Sequence, residues 1–173
     1  MTSFGDRVIG AATLNLATYE EVEADREATA QAMGVVLLSS VAAAVGNSGH
    51  WGRELVARAA LALVAWLVWA FVVYFIGTRL LEEPQTRSDV GELLRTTGFA
   101  SAPGIACVLG IIPFVGSLVV FVASVWMVVT TVVAVRQALD YRSTGRAVAV
   151  CLIGFVPYAI AMWIASPIVR SVL

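Results

Sequence analysis

The chain has 173 residues and a formal net charge of -1, with 60% of residues hydrophobic and 13% charged, about half the charge of an ordinary soluble domain, so a bilayer is its expected solvent. All eleven basic residues are arginine, which excludes chemistry that needs a lysine amine, such as a Schiff base or a phosphate-loop lysine. The slightly acidic balance argues against nucleic acid as a partner.

The N-terminus, MTSFGDRVIG, lacks a basic stretch followed by an unbroken apolar core, so no cleavable signal peptide is expected. Residues 3 to 16 read as a short amphipathic helix: Phe4, Val8, Ile9, Ala12 and Leu16 recur at helical spacing, opposite Asp6, Arg7 and Asn15. Its apolar face is suited either to the membrane surface or to the protein's own spans. Thr18 and Glu21 form a candidate capping box for a second, acidic turn. Glu20, Glu21, Glu23, Asp25 and Glu27 read as a solvated face, because they lack the glycine and alternating oxygen ligands of a calcium loop. Residues 1–27 are therefore assigned to an N-terminal polar segment and residues 28–173 to a transmembrane unit.

The first span is predicted at about residues 30–46. The loop after it holds Gly46, Ser48 and Gly49 with His50 close behind, an arrangement like the nucleophile motif of rhomboid intramembrane proteases. That motif needs a histidine brought in from another helix, whereas His50 is a sequence neighbour, and glycine, asparagine and serine are what a turn requires. No catalytic residue is assigned. The second span, about 58–78, carries Trp66 and Trp69 near its middle, where they either pack against small residues or line a cavity. A polar loop follows, and Ser88 to Arg95 reads as a capped helix leading onward.

Residues 96 to 135 contain no ionisable acid or base apart from the Cys107 thiol. One straight helix of this length would reach about 60 Å, twice the ~30 Å hydrocarbon core, so the stretch is predicted to be a hairpin with spans at about 97–113 and 117–136. Gly110, Pro113 and Gly116 mark its turn. On the first arm Gly98, Ala102, Ala106 and Gly110 fall at successive i, i+4 positions, a small-residue ribbon that lets another backbone approach and makes them candidate packing or assembly residues. Pro103 is expected to kink this arm and free a carbonyl, with Ser101 the nearest hydroxyl. Ser124, Thr130 and Thr131 on the second arm read as hydroxyls bonded back to the preceding turn. The fifth span, about 147–169, brings Pro157 as a further kink residue and Tyr158 as a third candidate cavity-lining side chain. Both cysteines, Cys107 and Cys151, lie in apolar runs and form neither a disulfide framework nor a metal cluster. No cofactor and no metal site is expected.

Five crossings place the termini on opposite sides. With the N-terminus inside, Arg7, Arg26, Arg79, Arg87, Arg95, Arg136, Arg142 and Arg146 are inside and only Arg53, Arg58 and Arg170 outside, so a cytoplasmic N-terminus and an outer C-terminus are expected. No aspartate, glutamate or histidine lies deep in a span, which counts against proton- or ion-coupled transport and against zinc proteolysis in the bilayer.

Taken in order, LATYEEVEADREATAQA before the first span, GELLRTTGFASAP, GIIPFVG and the STGRA loop resemble the Yip family, the Ypt/Rab-interacting membrane proteins, in its prokaryotic branch. Gly98-Phe99 stands where that family often has Gly-Tyr. The resemblance covers nearly the whole chain and implies an all-α, polytopic integral membrane protein with five helices and a cytoplasmic N-terminus, in a prokaryotic cytoplasmic membrane. It implies no catalysis, and in eukaryotic members a role in membrane traffic with small GTPases. Here the long N-terminal cytoplasmic domain and a D-L-Y-G-P type motif are missing, so GTPase binding is not carried over to any residue. The expected function is a non-enzymatic membrane scaffold or adaptor, with the lipid bilayer and a membrane-protein partner or second copy as its contacts. The alternative is a channel or carrier for a neutral or lipid-like solute.

Overall fold

The computed structural model describes residues 2–48 and 53–172, with side chains described for residues 2–46 and 55–164. Among the described residues every regular element is helical: α1 (Phe4–Ala12), α2 (Leu16–Ala24), α3 (Ala28–Ser48), α4 (Arg53–Arg79), α5 (Val90–Phe99), a 3₁₀ helix (Ala102–Ile111), α6 (Gly116–Ala138) and α7 (Thr144–Val172). Five stretches are long and apolar enough to cross a membrane: Ala28–Gly46, Leu55–Arg79, Val90–Ile111, Gly116–Ala138 and Thr144–Ile164. The expected all-helical, five-span architecture is the observed one.

The N-terminal helices form by local capping. The Asp6 amide donates to the Ser3 hydroxyl (3.2 Å) while the Ser3 amide donates to the Asp6 carboxylate (3.1 Å), closing a capping box on α1. Ala12 ends α1, and Leu14 turns the chain with a φ of 62°. The expected Thr18 and Glu21 capping box is not used. Asn15 caps α2, its side-chain oxygen accepting from the Ala17 amide at 3.1 Å. Thr18 is instead buried against Gly10, and Glu21 turns to Arg7. Both short helices pack on the spans: Ala11, Tyr19 and Val22 join Ala32, Val35, Phe99 and Ala134 in one core cluster. Of the two settings open to the amphipathic helix, α1 takes the protein's own spans, although Ile9 stays exposed.

The third crossing changes helix type midway. Pro103 lacks the N–H that an α-helix would require, and the chain runs from Ala102 to Ile111 as a 3₁₀ helix, far longer than the usual three or four residues. This segment runs parallel to α3. Gly98 lies against Ala32, Gly104 against Ser39, and Gly110 against Gly46. A Cβ on Gly46 would collide with the Cys107 carbonyl, so two backbones touch there, as a Cα–H···O contact permits. At the change of helix type the Ala100 carbonyl accepts a hydrogen bond from the Thr130 hydroxyl at 2.7 Å. Ser101, the nearest hydroxyl in sequence, instead donates to the Thr97 carbonyl at 3.4 Å.

This change of helix type corrects the small-residue ribbon. In an α-helix Gly98, Ala102, Ala106 and Gly110 share a stripe, but three residues per turn aligns Ser101, Gly104, Cys107 and Gly110. Gly98 and Ala102 are buried, Gly110 meets α3, and Ala106 is exposed away from it. The hairpin then turns at residues 112–115, with the Gly116 amide donating to the Ile112 carbonyl (2.9 Å) and Phe114 at a φ of 68°. Pro113 lies in this turn and Gly116 opens α6 beside Gly110. By contrast α7 continues as one helix through Pro157.

Packing is unequal along the bundle. A second core cluster joins Val73 and Ile76 of α4, Leu93, Val135, Leu139, and Ala147 and Val150 of α7. Both clusters lie at the end that holds α1 and α2, here termed the proximal end. The other, distal end presents Ile111, Phe114, Leu118, Phe121 and Val122 outward. Proximal loops are tied as well: the Tyr141 hydroxyl lies 2.8 Å from the carbonyls of both Gly77 and Leu81, and Arg146 pairs with Glu83 at 3.2 Å.

Candidate functional site

Distal to the packed core the helices part around a cavity of about 670 Å³, within the ~300–1,000 Å³ typical of ligand sites. Each wall is one face of an element. From α4 come Arg58, Leu61, Ala62, Ala65, Trp66 and Trp69, an i, i+3, i+4 stripe. From α3 come Ser39, Ser40 and Ala43, and from the third crossing Ser101, Gly104 and Cys107, the three-residue spacing of the 3₁₀ helix. Met127 and Thr131 of α6 and Tyr158 and Met162 of α7 complete the lining.

The proximal floor is closed. Trp66 is buried in the core cluster with Phe99 and Ala100, and its indole N–H donates to the Thr97 hydroxyl at 3.3 Å. Trp69 packs edge-on against Tyr158, ring centroids 5.4 Å apart at 82°. Arg58 stands towards the distal end, about 16 Å along α4 from Trp69 at 1.5 Å per residue. The wall hydroxyls donate into their own helices: Ser40 to the Leu37 carbonyl (2.9 Å), Ser124 to Val120 (2.8 Å) and Thr131 to Met127 (2.7 Å). Among the described residues the wall therefore carries one cation, Arg58, at one end and is otherwise uncharged and mostly apolar.

At the proximal end two buried arginines hold the N-terminal helices. Arg7, 2% exposed, donates to Glu21 (2.8 Å), Asp25 (2.8 Å) and the Gln31 side chain (3.0 Å), so one guanidinium joins α1, α2 and α3 through charge-assisted bonds. The Thr2 hydroxyl and then Arg7 hold the Glu21 carboxyl down to about 2. Arg95, 6% exposed, faces main-chain oxygen. Its Nε donates to the carbonyls of Val22 and Glu23, each at 3.0 Å, and its Nη2 also reaches Glu23. These are terminal carbonyls of α2, so Arg95 caps that helix and complements its dipole. Burial, then the charges of Glu92 and Asp140, push the Glu23 carboxyl up to about 7.

The structure thus gathers Trp66, Trp69 and Tyr158 at one cavity. Gly98, Ala102 and Gly110 lie in contacts within the chain, Ala106 is exposed, Pro103 is buried at the start of the 3₁₀ helix, and exposed Pro157 borders an apolar groove with Phe71 and Phe75. The motif at Gly46, Ser48, Gly49 and His50 falls largely outside the described residues. Sequence reasoning missed the arginine clasp. Arg95 stands immediately before an uncharged run, which marks a membrane boundary and gives no sign of a partner far back in the chain. The Arg58–Trp69 stripe was legible as i, i+3, i+4 spacing.

Five apolar helices around a mostly apolar cavity, with polar contacts gathered at one end, define a multi-span helical membrane protein. The family model for the Yip1 domain matches residues 10–164, and the chain belongs to that family. No curated protein and no solved structure matches it significantly.

Proposed function

We propose that the chain is a non-enzymatic membrane scaffold or adaptor that organises the membrane or a membrane-protein complex and presents its proximal end to a partner. In this reading residues 1–27 are the cytoplasmic segment, residues 28–173 are the five-span unit of a prokaryotic cytoplasmic membrane, and the C-terminus is outside, as the arginine distribution favours. What carries the reading is the clasp. Buried Arg7 and Arg95 make α1 and α2 a fixed surface rather than a tail, and that surface exposes Glu20 and Glu27. Fixed charge on a rigid element is what specific partner choice requires. Assembly of two copies through the ribbon would fall to Ala106, since its other members face the chain itself. The test is purification from native membrane of the wild type and of a Glu20→Lys, Glu27→Lys variant, with bound proteins quantified by mass spectrometry. Selective depletion of specific membrane proteins from the variant is expected; an unchanged set would contradict a docking role for this surface.

The cavity favours a second reading, a carrier for a lipid-like solute. Its closed floor at Trp66 and Thr97 makes it a binding vestibule rather than an open channel. Reconstituted vesicles test it directly: faster exchange of fluorescent lipid between leaflets than in empty vesicles supports a carrier, and equal rates remove it.

A further inference from the structure

We infer that the cavity binds an anionic phospholipid drawn from the bilayer, its phosphate against the Arg58 guanidinium and an acyl chain along α4 towards Trp66 and Trp69. The inference rests on the second reading for an occupied cavity and names the occupant. It requires no movement across the membrane, so vesicles without lipid exchange would remove the carrier and leave the bound lipid in place.

Three observations select this chemistry. The charge is at one end: among the described residues Arg58 is the only ionisable side chain at the cavity apart from the Cys107 thiol and the Tyr158 phenol, and it makes no ion pair with any of them. A guanidinium presents paired donors that match phosphate oxygens. Next, the wall below it is mostly apolar, and the hydroxyls of Ser40, Ser124 and Thr131 already donate to their own backbones. A hydrated ion or sugar entering there would lose more water than the scattered Ser39, Trp69 and Tyr158 polar groups replace, whereas an alkyl chain loses nothing. Finally, the shape suits a chain. Ala62 and Ala65 leave a smooth strip along α4, Met127 and Met162 are adaptable fillers, and two indoles close the far end.

Trp66 and Trp69 are themselves the reporters. In a variant carrying Trp51→Phe, Trp126→Phe and Trp163→Phe, fluorescence comes from these two alone. The protein is placed in phosphatidylcholine bilayers containing a minor fraction of phosphatidylglycerol, with acyl-chain bromine on one lipid or the other. Quenching per mole of brominated phosphatidylglycerol should exceed that of brominated phosphatidylcholine by roughly fivefold, the preference expected of one arginine near an anionic headgroup. Arg58→Gln should abolish the preference, Arg58→Lys should retain most of it, and Ala65→Phe should reduce quenching by both lipids. Equal quenching by the two lipids, or a preference that survives Arg58→Gln, would overturn the inference. Loss of the preference on adding inorganic phosphate alone would also overturn it, by showing a site for a free anion.

Discussion

Arg95 contributes through geometry that its charge alone does not convey. Its donors meet two carbonyls at the end of α2, and hydrogen bonds from charged groups contribute roughly 1.5–3 kcal/mol each, less where partners are shared. Arg95→Ala should therefore destabilise the protein by about 2–3 kcal/mol in detergent or nanodisc unfolding, and Arg95→Lys should recover only part of this because a single ammonium cannot reproduce the fork. Glu23, beside it, makes stability depend on pH. Its carboxyl titrates near 7 in the folded protein against an ordinary 4.5, so between these values the folded state holds a proton that the unfolded chain has released. The contribution is complete below pH 4.5, declines as the pH rises towards 7 and is level above it. Glu21 acts with the opposite sign: its contribution is present above 4.5 and is lost as the pH falls towards 2. Glu23→Gln should flatten the decline in the unfolding midpoint between pH 4.5 and 7. An equal decline in both proteins would contradict the assignment.

At the scale of elements, the seam between α3 and the 3₁₀ helix governs how the third crossing is held. Gly110→Ala would push a methyl against the Gly46 backbone and Val120, an overpacking that should cost about 1–3 kcal/mol. Ala106→Leu, on the exposed side, should change monomer stability by no more than about 0.5 kcal/mol. The pair separates packing within the chain from contact between chains: a shift in oligomer size with Ala106→Leu, at unchanged stability, would assign assembly to that position. The five spans and the hairpin turn were legible because uncharged length and the Gly110, Pro113 and Gly116 breakers state them directly. Helix type was not legible. Pro103 announces a disturbance, and an α spacing of four continues to fit the small residues through it. Backbone hydrogen bonds three residues apart, such as the Gly104 amide to the Ser101 carbonyl (2.9 Å) and the Ile112 amide to the Leu109 carbonyl (3.0 Å), show that a three-residue period holds.

Across the whole molecule the contrast is between a filled proximal end and a parted distal one. Both core clusters and both buried arginines lie at the proximal end, while the cavity stands beyond Trp66. The candidate lining residues Trp66, Trp69 and Tyr158 were legible as bulky aromatics at mid-span, and the stripe from Arg58 was there to be found. The clasp was not, because it joins Arg7 to Asp25 and Arg95 to Val22 across turns and sequence separations that periodicity does not encode. A scaffold that offers α1 and α2 to a partner requires those helices to be part of the folded bundle. Amide hydrogen exchange on the protein in nanodiscs decides this: residues Leu16–Ala24 should be protected to a degree comparable with Val90–Phe99, and Arg95→Ala should release α2 first. Exchange of α2 in the wild type at the rate of an unstructured peptide would contradict the fixed proximal surface and the function proposed for it.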